Sequence, residues 1–405
     1  MRFDFTSLMD RRGMDAIAVD QLPVPFGEDK GAARVDKGFS RIPMWVADMN
    51  FPVVPSVIQA LVARAEHPAF GYFYPRDSYY EAIVRWQETQ HGVTGLSREN
   101  IGYENGVLGG VISALRAVCS RGDSVLLHSP TYVGFTAVLE NNGFHSVHSP
   151  LKLDEKGVWR MDFADMEAKI QKFHIHGVIL CSPHNPCGRV WEEWELARAM
   201  EIFRDNGVYV ISDEIWSDLT LEGYHHIPTQ SVSQDARMRT MALYAPSKTF
   251  NLAGLVGSYH IIYDPWLRDR VLKEASLSRY NEMNVLSMHG LLGAYTQEGA
   301  LWLAELRQVL TRNVEYACDY IETHFPGVFV ARPQGTYMLF LDCGAWCESH
   351  GKTMDELVEA GIRVGVIWQD GRPFFGSSHI RVNLAVPFSL VQEAMERLRE
   401  HVFCI

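Results

Sequence analysis

The side chains best suited to chemistry follow three short apolar runs of this sequence. Lys248 stands in the segment PSKTFNLAGL, directly after the run ALYA. A lysine among small and apolar residues is partly desolvated, which favours its neutral amine and makes it a usable nucleophile. Asn185, in SPHNPCGRV, and Asp213, in ISDEIW, also follow apolar runs. The sequence therefore predicts an amine, an amide and a carboxylate at comparable places in successive structural units.

The spacing of these three residues fits a parallel sheet. Roughly 30 residues separate Asn185 from Asp213 and Asp213 from Lys248, which is the length of one βαβ unit. Because the carboxyl ends of parallel strands meet at one edge of a sheet, we expect the three side chains to lie close together.

This set of groups is the one that pyridoxal phosphate requires. Its aldehyde condenses with a lysine, its protonated pyridine nitrogen needs a carboxylate, and its phenolic oxygen needs a neutral donor. Lys248, Asp213 and Asn185 are the candidates for these roles. The phosphate needs backbone N–H groups at a helix start, and one ring face needs an aromatic neighbour. The candidates for these tasks are Gly106, Val107, Leu108 and Ser247 for the phosphate and Tyr132 for the ring.

The chain resembles the fold-type I pyridoxal phosphate enzymes, the aspartate aminotransferase superfamily, over nearly its whole length. Within that superfamily it is most similar to the cystathionine β-lyase-like carbon–sulfur lyases. The narrower likeness rests on DRRG and MWVADMNF near the start and on HNPCGRVW and SKTFNLAGL further along.

The resemblance implies roles for residues outside these strand ends. Arg381, in HIRVNL, is similar to the arginine that binds the substrate α-carboxylate, for which a planar guanidinium is suited. Tyr72, with Tyr74 as its rival, is similar to the tyrosine that reaches the active site of a neighbouring subunit, which implies a homodimer. Trp45 is expected to line the substrate pocket. Together with Lys248 and Asp213, Tyr72 completes the implied catalytic set.

The same resemblance implies a β-elimination on an L-cysteine conjugate such as cystathionine, giving a thiol, pyruvate and ammonia. An aminotransferase of class I/II stays open as an alternative. Val256 stands where many aminotransferases have an arginine for the phosphate, which favours the lyase. Trp216 replaces the tyrosine or histidine usual at its position, and Asn50 replaces a carboxylate of the lyase motif. The intact lysine, aspartate and asparagine disfavour a non-catalytic protein that keeps the fold.

The elements expected to carry these residues alternate between strands and helices, which is typical of an α/β layered protein. We expect a large domain, residues 51–285, with a mainly parallel central sheet flanked by helices. A smaller α/β C-terminal domain, residues 286–405, should pack with an N-terminal arm, residues 1–50. Strands are predicted at 124–128, 177–181, 208–212, 241–245, 256–262, 336–342 and 379–383, and a long helical stretch at 289–323.

Composition limits the remaining classes of function. The 405 residues carry a formal net charge of −12, which argues against nucleic acid or an anionic membrane as the main partner. The first residues, MRFDF, do not resemble a signal peptide and no apolar run approaches a membrane span, so we expect a cytoplasmic protein. The seven cysteines show no metal-binding spacing, and no metal is expected. Histidines such as His184, His225 and His226 are expected in loops or at the surface.

Overall fold

The computed structural model of the protein describes residues 1–23, 34–277 and 281–403. Pro25 and Gly27 of the predicted arm, and Cys404, lie outside these ranges. The helices are α1 (Ile17–Asp20), α2 (Pro55–Ala65), α3 (Asp77–His91), α4 (Val107–Val118), α5 (Val133–Asn141), α6 (Phe163–Phe173), α7 (Glu193–Asp205), α8 (Gln234–Arg239), α9 (Pro246–Thr249), α10 (Pro265–Ser276), α11 (Val285–Ala294), α12 (Gln297–His324), α13 (Gly344–His350), α14 (Met354–Arg363) and α15 (Phe388–Leu398).

The strands are β1 (Ile42–Pro43), β2 (Ile101–Asn105), β3 (Ser124–Ser129), β4 (His145–Pro150), β5 (Lys152–Leu153), β6 (Trp159–Arg160), β7 (Gly177–Cys181), β8 (Tyr209–Asp213), β9 (Thr240–Tyr244), β10 (Gly257–Ile261), β11 (Phe329–Val330), β12 (Met338–Asp342), β13 (Val366–Ile367), β14 (Gln369–Asp370) and β15 (His379–Asn383).

The larger sheet of the described chain has seven strands in the order β2-β10-β9-β8-β7-β3-β4. All neighbouring pairs are parallel except the two that involve β10, which runs against β9 and β2. Strands β7 and β9 are buried along their whole length, as continuous apolar runs in a parallel sheet should be. The mainly parallel α/β sheet that the sequence predicts is confirmed.

The helix that begins at the end of β2 depends on a glycine. Gly106, which precedes α4, has φ +79°, in the left-handed region that residues with a Cβ rarely adopt. The chain can therefore turn sharply from β2 into α4, whose Val111 and Leu115 pack into the core beside the sheet. Helix α4 then contacts β8 and β9 of the larger sheet.

The smaller sheet is antiparallel, in the order β11-β12-β15-β14, and carries Arg381 on β15. The arm pairs with this part of the chain, because β1 runs parallel to β13. Helix α11, which begins at the predicted domain boundary, packs on α2 and β10 instead of on the smaller sheet. The division at residues 50 and 285 stays a prediction.

The helical stretch predicted over 289–323 consists of two helices, because the chain breaks between α11 and α12. The Thr296 hydroxyl accepts the N–H of Gly299 at 2.9 Å and so caps a new helix. Tyr295 before it has non-helical dihedral angles. The last helix, α15, ends at Leu398, and a π-helical turn follows over Arg399–Phe403.

Candidate active site

A cavity of about 230 Å³ opens at the carboxyl edge of the larger sheet. Strands β2, β3, β7, β8 and β9 all end at this edge, so residues far apart in sequence converge there. Among the described residues that line it, the charged side chains are Asp213 and Lys248. The other predicted residues in its wall are Gly106, Val107, Leu108, Tyr132, Asn185 and Ser247.

Lys248 lies in the short helix that follows β9. Its Nζ donates to the carbonyl oxygen of Ala47 at 2.9 Å and lies 5.7 Å from the centre of the Trp216 ring. Burial lowers the pKa of the amine to about 8, and the charge of Arg381 acts in the same direction. A substantial fraction of Lys248 is therefore neutral near physiological pH, as a nucleophile or base requires.

Asp213 ends β8 and is buried, with 4% of its surface exposed. One Oδ accepts the N–H of Ile215 at 3.1 Å, which is its only hydrogen bond to the described chain. Burial raises the pKa of this carboxyl to about 7. A buried carboxylate with so few partners is suited to a cation that the protein does not itself provide, such as a pyridinium.

Arg381 and Asn185 lie together, although 196 residues separate them in sequence. An Nη of Arg381 donates to Asn185 Oδ1 at 3.3 Å, and the other Nη donates to the Trp45 carbonyl at 3.0 Å and to Gln369 Oε1. The guanidinium also lies 4.3 Å from the centre of the Phe374 ring. These hydrogen-bond acceptors are neutral, and the buried Nε has no partner in the described chain.

Within residues 1–23, 34–277 and 281–403, the charge of Arg381 is therefore left without a carboxylate. Burial lowers the pKa of its guanidinium to about 10, so the cation persists at neutral pH. A buried cation with only neutral partners is unfavourable until an anion arrives. This is the property expected of a residue that binds a substrate carboxylate.

The cavity lining also includes helix N-termini and an aromatic ring. Helix α4 begins after Gly106, and Ser247 lies in the first turn after Pro246. Tyr132 is in edge contact with Phe135, with ring centroids 5.4 Å apart. A Cβ at Gly134 would lie 2.4 Å from the Tyr132 ring, so only glycine permits this ring position.

The cavity fits pyridoxal phosphate by the chemistry of its donors. An amine, a buried carboxylate with one hydrogen bond, an amide, free N–H groups at the start of α4 and an aromatic ring all line this one cavity. A phosphorylated pyridine aldehyde has matching groups for each of them.

Four predicted residues are not among those that line this cavity: Tyr72, Tyr74, Trp45 and Arg381. Arg381 contacts Asn185 in the cavity wall, whereas the Trp45 indole donates to the Ala18 carbonyl at 3.0 Å. The side chains of Tyr72 and Tyr74 are fully exposed in the loop between α2 and α3. Neither lines the cavity of its own chain. Their implied role across a subunit boundary stays a prediction.

His184 and His226 lie in loops, as predicted, but both are buried, while His225 is exposed. His226 Nε2 is 2.7 Å from Glu214 Oε2, inside the core behind the cavity. Strand-like alternation indicates that adjacent histidines point in opposite directions, but it does not tell which one faces the core.

Sequence reasoning also missed Gln369 and Phe374, which contact Arg381. No motif distinguishes them, since Gln369 matters only through its register opposite Arg381 in the smaller sheet. The carbonyl of Ala47 was missed for a similar reason, because a backbone acceptor leaves no signal in residue type. Among the residues that the structure describes, no helix combines the length and apolarity needed to cross a bilayer.

Comparison with known proteins gives one consistent result. Residues 43–398 match the sequence profile of aminotransferase class I and II. The chain is 33% identical over 360 residues to cystathionine beta-lyase PatB of Bacillus subtilis, covering 88% of this chain and 92% of that protein.

Two solved structures extend the likeness to the whole chain. The pyridoxal-phosphate-bound C-S lyase of Staphylococcus hominis has a TM-score of 0.86 and 30% identity, covering 98% of each chain. A pyridoxal-phosphate-bound candidate aminotransferase of Clostridium difficile 630 has a TM-score of 0.88 and 31% identity, covering 98% of this chain and 99% of that one.

Proposed function

The chain belongs to the aminotransferase class I and II family of pyridoxal phosphate enzymes, and we propose that it is a carbon–sulfur β-lyase acting on L-cysteine conjugates such as L-cystathionine. The observation that carries this proposal is that an uncompensated guanidinium, Arg381, contacts Asn185 in the wall of the cavity where a partly neutral amine, Lys248, also lies. The first suits an amino-acid carboxylate and the second suits removal of its α-proton.

The residues that would hold the cofactor are those that the cavity brings together. Lys248 would bind its aldehyde, Asp213 its pyridine nitrogen and Asn185 its phenolic oxygen. The phosphate would lie at Gly106, Val107, Leu108 and Ser247, with the Tyr132 ring against the pyridine. When bound, the cofactor supplies an electron sink for the carbanion that forms at the substrate Cα.

The rest of the reaction follows from the side chains of this chain. Arg381 binds the α-carboxylate and so fixes the direction of the Cα–H bond. Lys248 Nζ accepts the α-proton, and the electron pair released expels a thiolate from Cβ. Water then completes the stoichiometry, since conjugate plus water gives thiol, pyruvate and ammonia. A thiolate leaves readily, so orientation is the main requirement on the protein.

The aminotransferase alternative is less favoured by the charges at the cavity. A transaminase for dicarboxylic substrates needs a second cation for the distal carboxylate. Of the described lining residues, Lys248 is the one cation. Val256, beside Gly106, offers no charge to the phosphate either.

A homodimer with a shared site forms the second part of the proposal. Tyr72 is exposed on its own chain and does not line its own cavity, which is consistent with a role in a partner's site. Mixing a Lys248→Ala chain with a Tyr72→Ala chain tests this, because a mixed dimer would contain one intact site. Recovery of up to about a quarter of wild-type activity is expected from random pairing, and no recovery would contradict a shared site.

The test of the reaction itself is an assay for pyruvate and free thiol with L-cystathionine and no added keto-acid. Equal amounts of both products, abolished in Lys248→Ala, would establish β-elimination. Absence of pyruvate, with amino-group transfer to an added keto-acid, would make the protein a transaminase. The matched control is Lys273→Ala, an exposed lysine on α10 far from the cavity lining.

A further inference from the structure

Residues 44–50, here called the strap, cross between the two sheets and are anchored next to both functional cations. Asn383, two residues after Arg381, donates from Nδ2 to the carbonyls of Val46 at 2.6 Å and Asp48 at 2.7 Å. Asn251, three residues after Lys248, bonds the backbone of Met49 through both side-chain groups, at 2.8 and 3.0 Å. The strap is thus bonded to β15 and to the segment that follows α9, here called the lysine loop.

Two carbonyls of the strap contact the functional cations directly. Trp45 O accepts from Arg381 at 3.0 Å, and Ala47 O accepts from Lys248 Nζ at 2.9 Å. A neutral amine has two N–H bonds and one lone pair, so a fixed acceptor for one N–H restricts where the lone pair points. One backbone segment therefore orients both groups that act on the substrate.

A third anchor of the strap comes from Arg11, nearer the start of the arm. Arg11 Nη2 lies 2.7 Å from Asp48 Oδ2, and Nη1 reaches Asp48 Oδ1 at 3.3 Å, the Met49 carbonyl at 3.2 Å and Asn50 Oδ1 at 3.0 Å. Both side chains of the ion pair are largely buried, 15% and 16% exposed. Its neighbour Arg12 pairs only locally with Asp10, and these side chains are 77% and 60% exposed.

We propose that Arg11 is a positioning residue of the active site. Its bidentate ion pair with Asp48 holds the strap in place, so that the carbonyls of Trp45 and Ala47 orient Arg381 and Lys248. The reason lies in geometry and charge together. A planar guanidinium fixes the direction of a carboxylate as a lysine ammonium does not. It also neutralises Asp48, whose charge otherwise acts on Lys248 together with those of Arg381 and Asp213.

This inference rests on the proposed function only for the identity of the substrate. Its first test therefore uses the cofactor-free protein and needs no turnover. Carbamylation of Lys248 by cyanate, followed by mass spectrometry across pH, reports the fraction of neutral amine. The variants are Arg11→Gln, which frees the Asp48 charge, Asp48→Asn, which removes it, and Arg12→Gln as the matched control.

Arg11→Gln should move the carbamylation curve of Lys248 to higher pH, because an uncompensated carboxylate favours the ammonium form. Asp48→Asn should move it to lower pH, and Arg12→Gln should leave it in place. If the substitutions only loosened the strap, the carbamylation curves of both variants would shift in the same direction. Shifts in opposite directions therefore indicate that the charges of Arg11 and Asp48 act on Lys248. Curves that coincide with wild type, or that shift in the same direction, would overturn the proposal.

The second test separates geometry from charge. Arg11→Lys keeps the charge and loses the planar fork, so the carbamylation curve should stay near wild type while kcat/KM falls by about 10²-fold through misplacement. Hydrogen exchange of the backbone amides of residues 44–50 should rise in this variant and not in Arg12→Lys. Wild-type exchange together with wild-type kcat/KM in Arg11→Lys would contradict the inference, whatever substrate the wild-type enzyme prefers.

Discussion

Asp213 and Glu214 are adjacent, acidic and buried, yet their surroundings differ. Asp213 faces the cavity with one hydrogen bond, and burial raises its pKa to about 7. Glu214 faces the opposite side of the sheet and accepts hydrogen bonds from Ser212, His226, Thr229 and Tyr244. Burial opposes its ionisation, but the charge and hydrogen bond of His226 outweigh that cost and lower its pKa.

The difference shows that burial alone does not identify a functional carboxylate. The rings of His226 and His91, with centroids 5.5 Å apart, connect Glu214 to Asp218, whose carboxylate accepts from Trp86 and Thr249 and bonds His91. These groups are here called the array. Such fully satisfied groups stabilise one arrangement of the core. A buried acid whose partners are missing is available for a ligand.

The largest expected effect in this comparison is on catalysis. Asp213→Asn should lower kcat/KM by about 10³-fold or more, because the amide cannot keep a pyridine nitrogen protonated. The cofactor-free variant should fold normally, since it loses an unfavourable buried charge. Pyruvate release and a thermal melt of the same preparation check both parts. Retained activity would show that Asp213 does not contact the reacting group.

The second effect concerns the pH dependence of stability. A carboxyl whose folded pKa is about 7, against 3.8 when unfolded, binds more protons in the folded state between those values. Protonated Asp213 contributes on the order of 4 kcal/mol to the free energy of unfolding. This contribution is complete below about pH 4 and is lost as the pH rises through 7. Denaturant unfolding of cofactor-free wild type and Asp213→Asn should show this difference in slope. Parallel stability curves would contradict the raised pKa.

Glu214→Gln should act mainly on stability. Removing one partner of a buried pair leaves His226 without its carboxylate and should lower the free energy of unfolding by about 3 kcal/mol. The kcat of the folded fraction should change far less than in Asp213→Asn. A double variant with His226→Gln measures the coupling, and additive effects would show that the pair contributes no specific stabilisation.

The smallest effect tests the link between the array and the lysine loop. Thr249 Oγ1 donates to Asp218 Oδ2 at 2.7 Å, next to Lys248. Thr249→Val removes this bond at nearly constant volume and should lower the free energy of unfolding by about 1 kcal/mol. Denaturant midpoints measure it. A drop in kcat of more than tenfold would instead place the array in the positioning of Lys248.

Much of the fold could be predicted, because buried parallel strands have continuous apolar runs in the sequence. Strands β7 and β15 have the predicted bounds, and β8 and β9 differ from them by one residue at their ends. The break at Thr296 was not predicted, since threonine also occurs inside helices and only the structure shows its capping bond. The burial of His226 was not predicted either. It depends on the bond to Glu214, and no local pattern in the sequence indicates that the chain folds back to form this bond.

By itself, the sequence determined the chemical inventory and its order: an asparagine, an aspartate and a lysine, each after an apolar strand, and hence one sheet edge. Tertiary structure decided which backbone and side-chain atoms surround that inventory. The Lys248–Ala47 and Arg381–Trp45 bonds span 201 and 336 residues, and no local pattern encodes such contacts. The distinction between Asp213 and Glu214 arises in the same way, because a pKa depends on the partners that folding brings together and not on residue type.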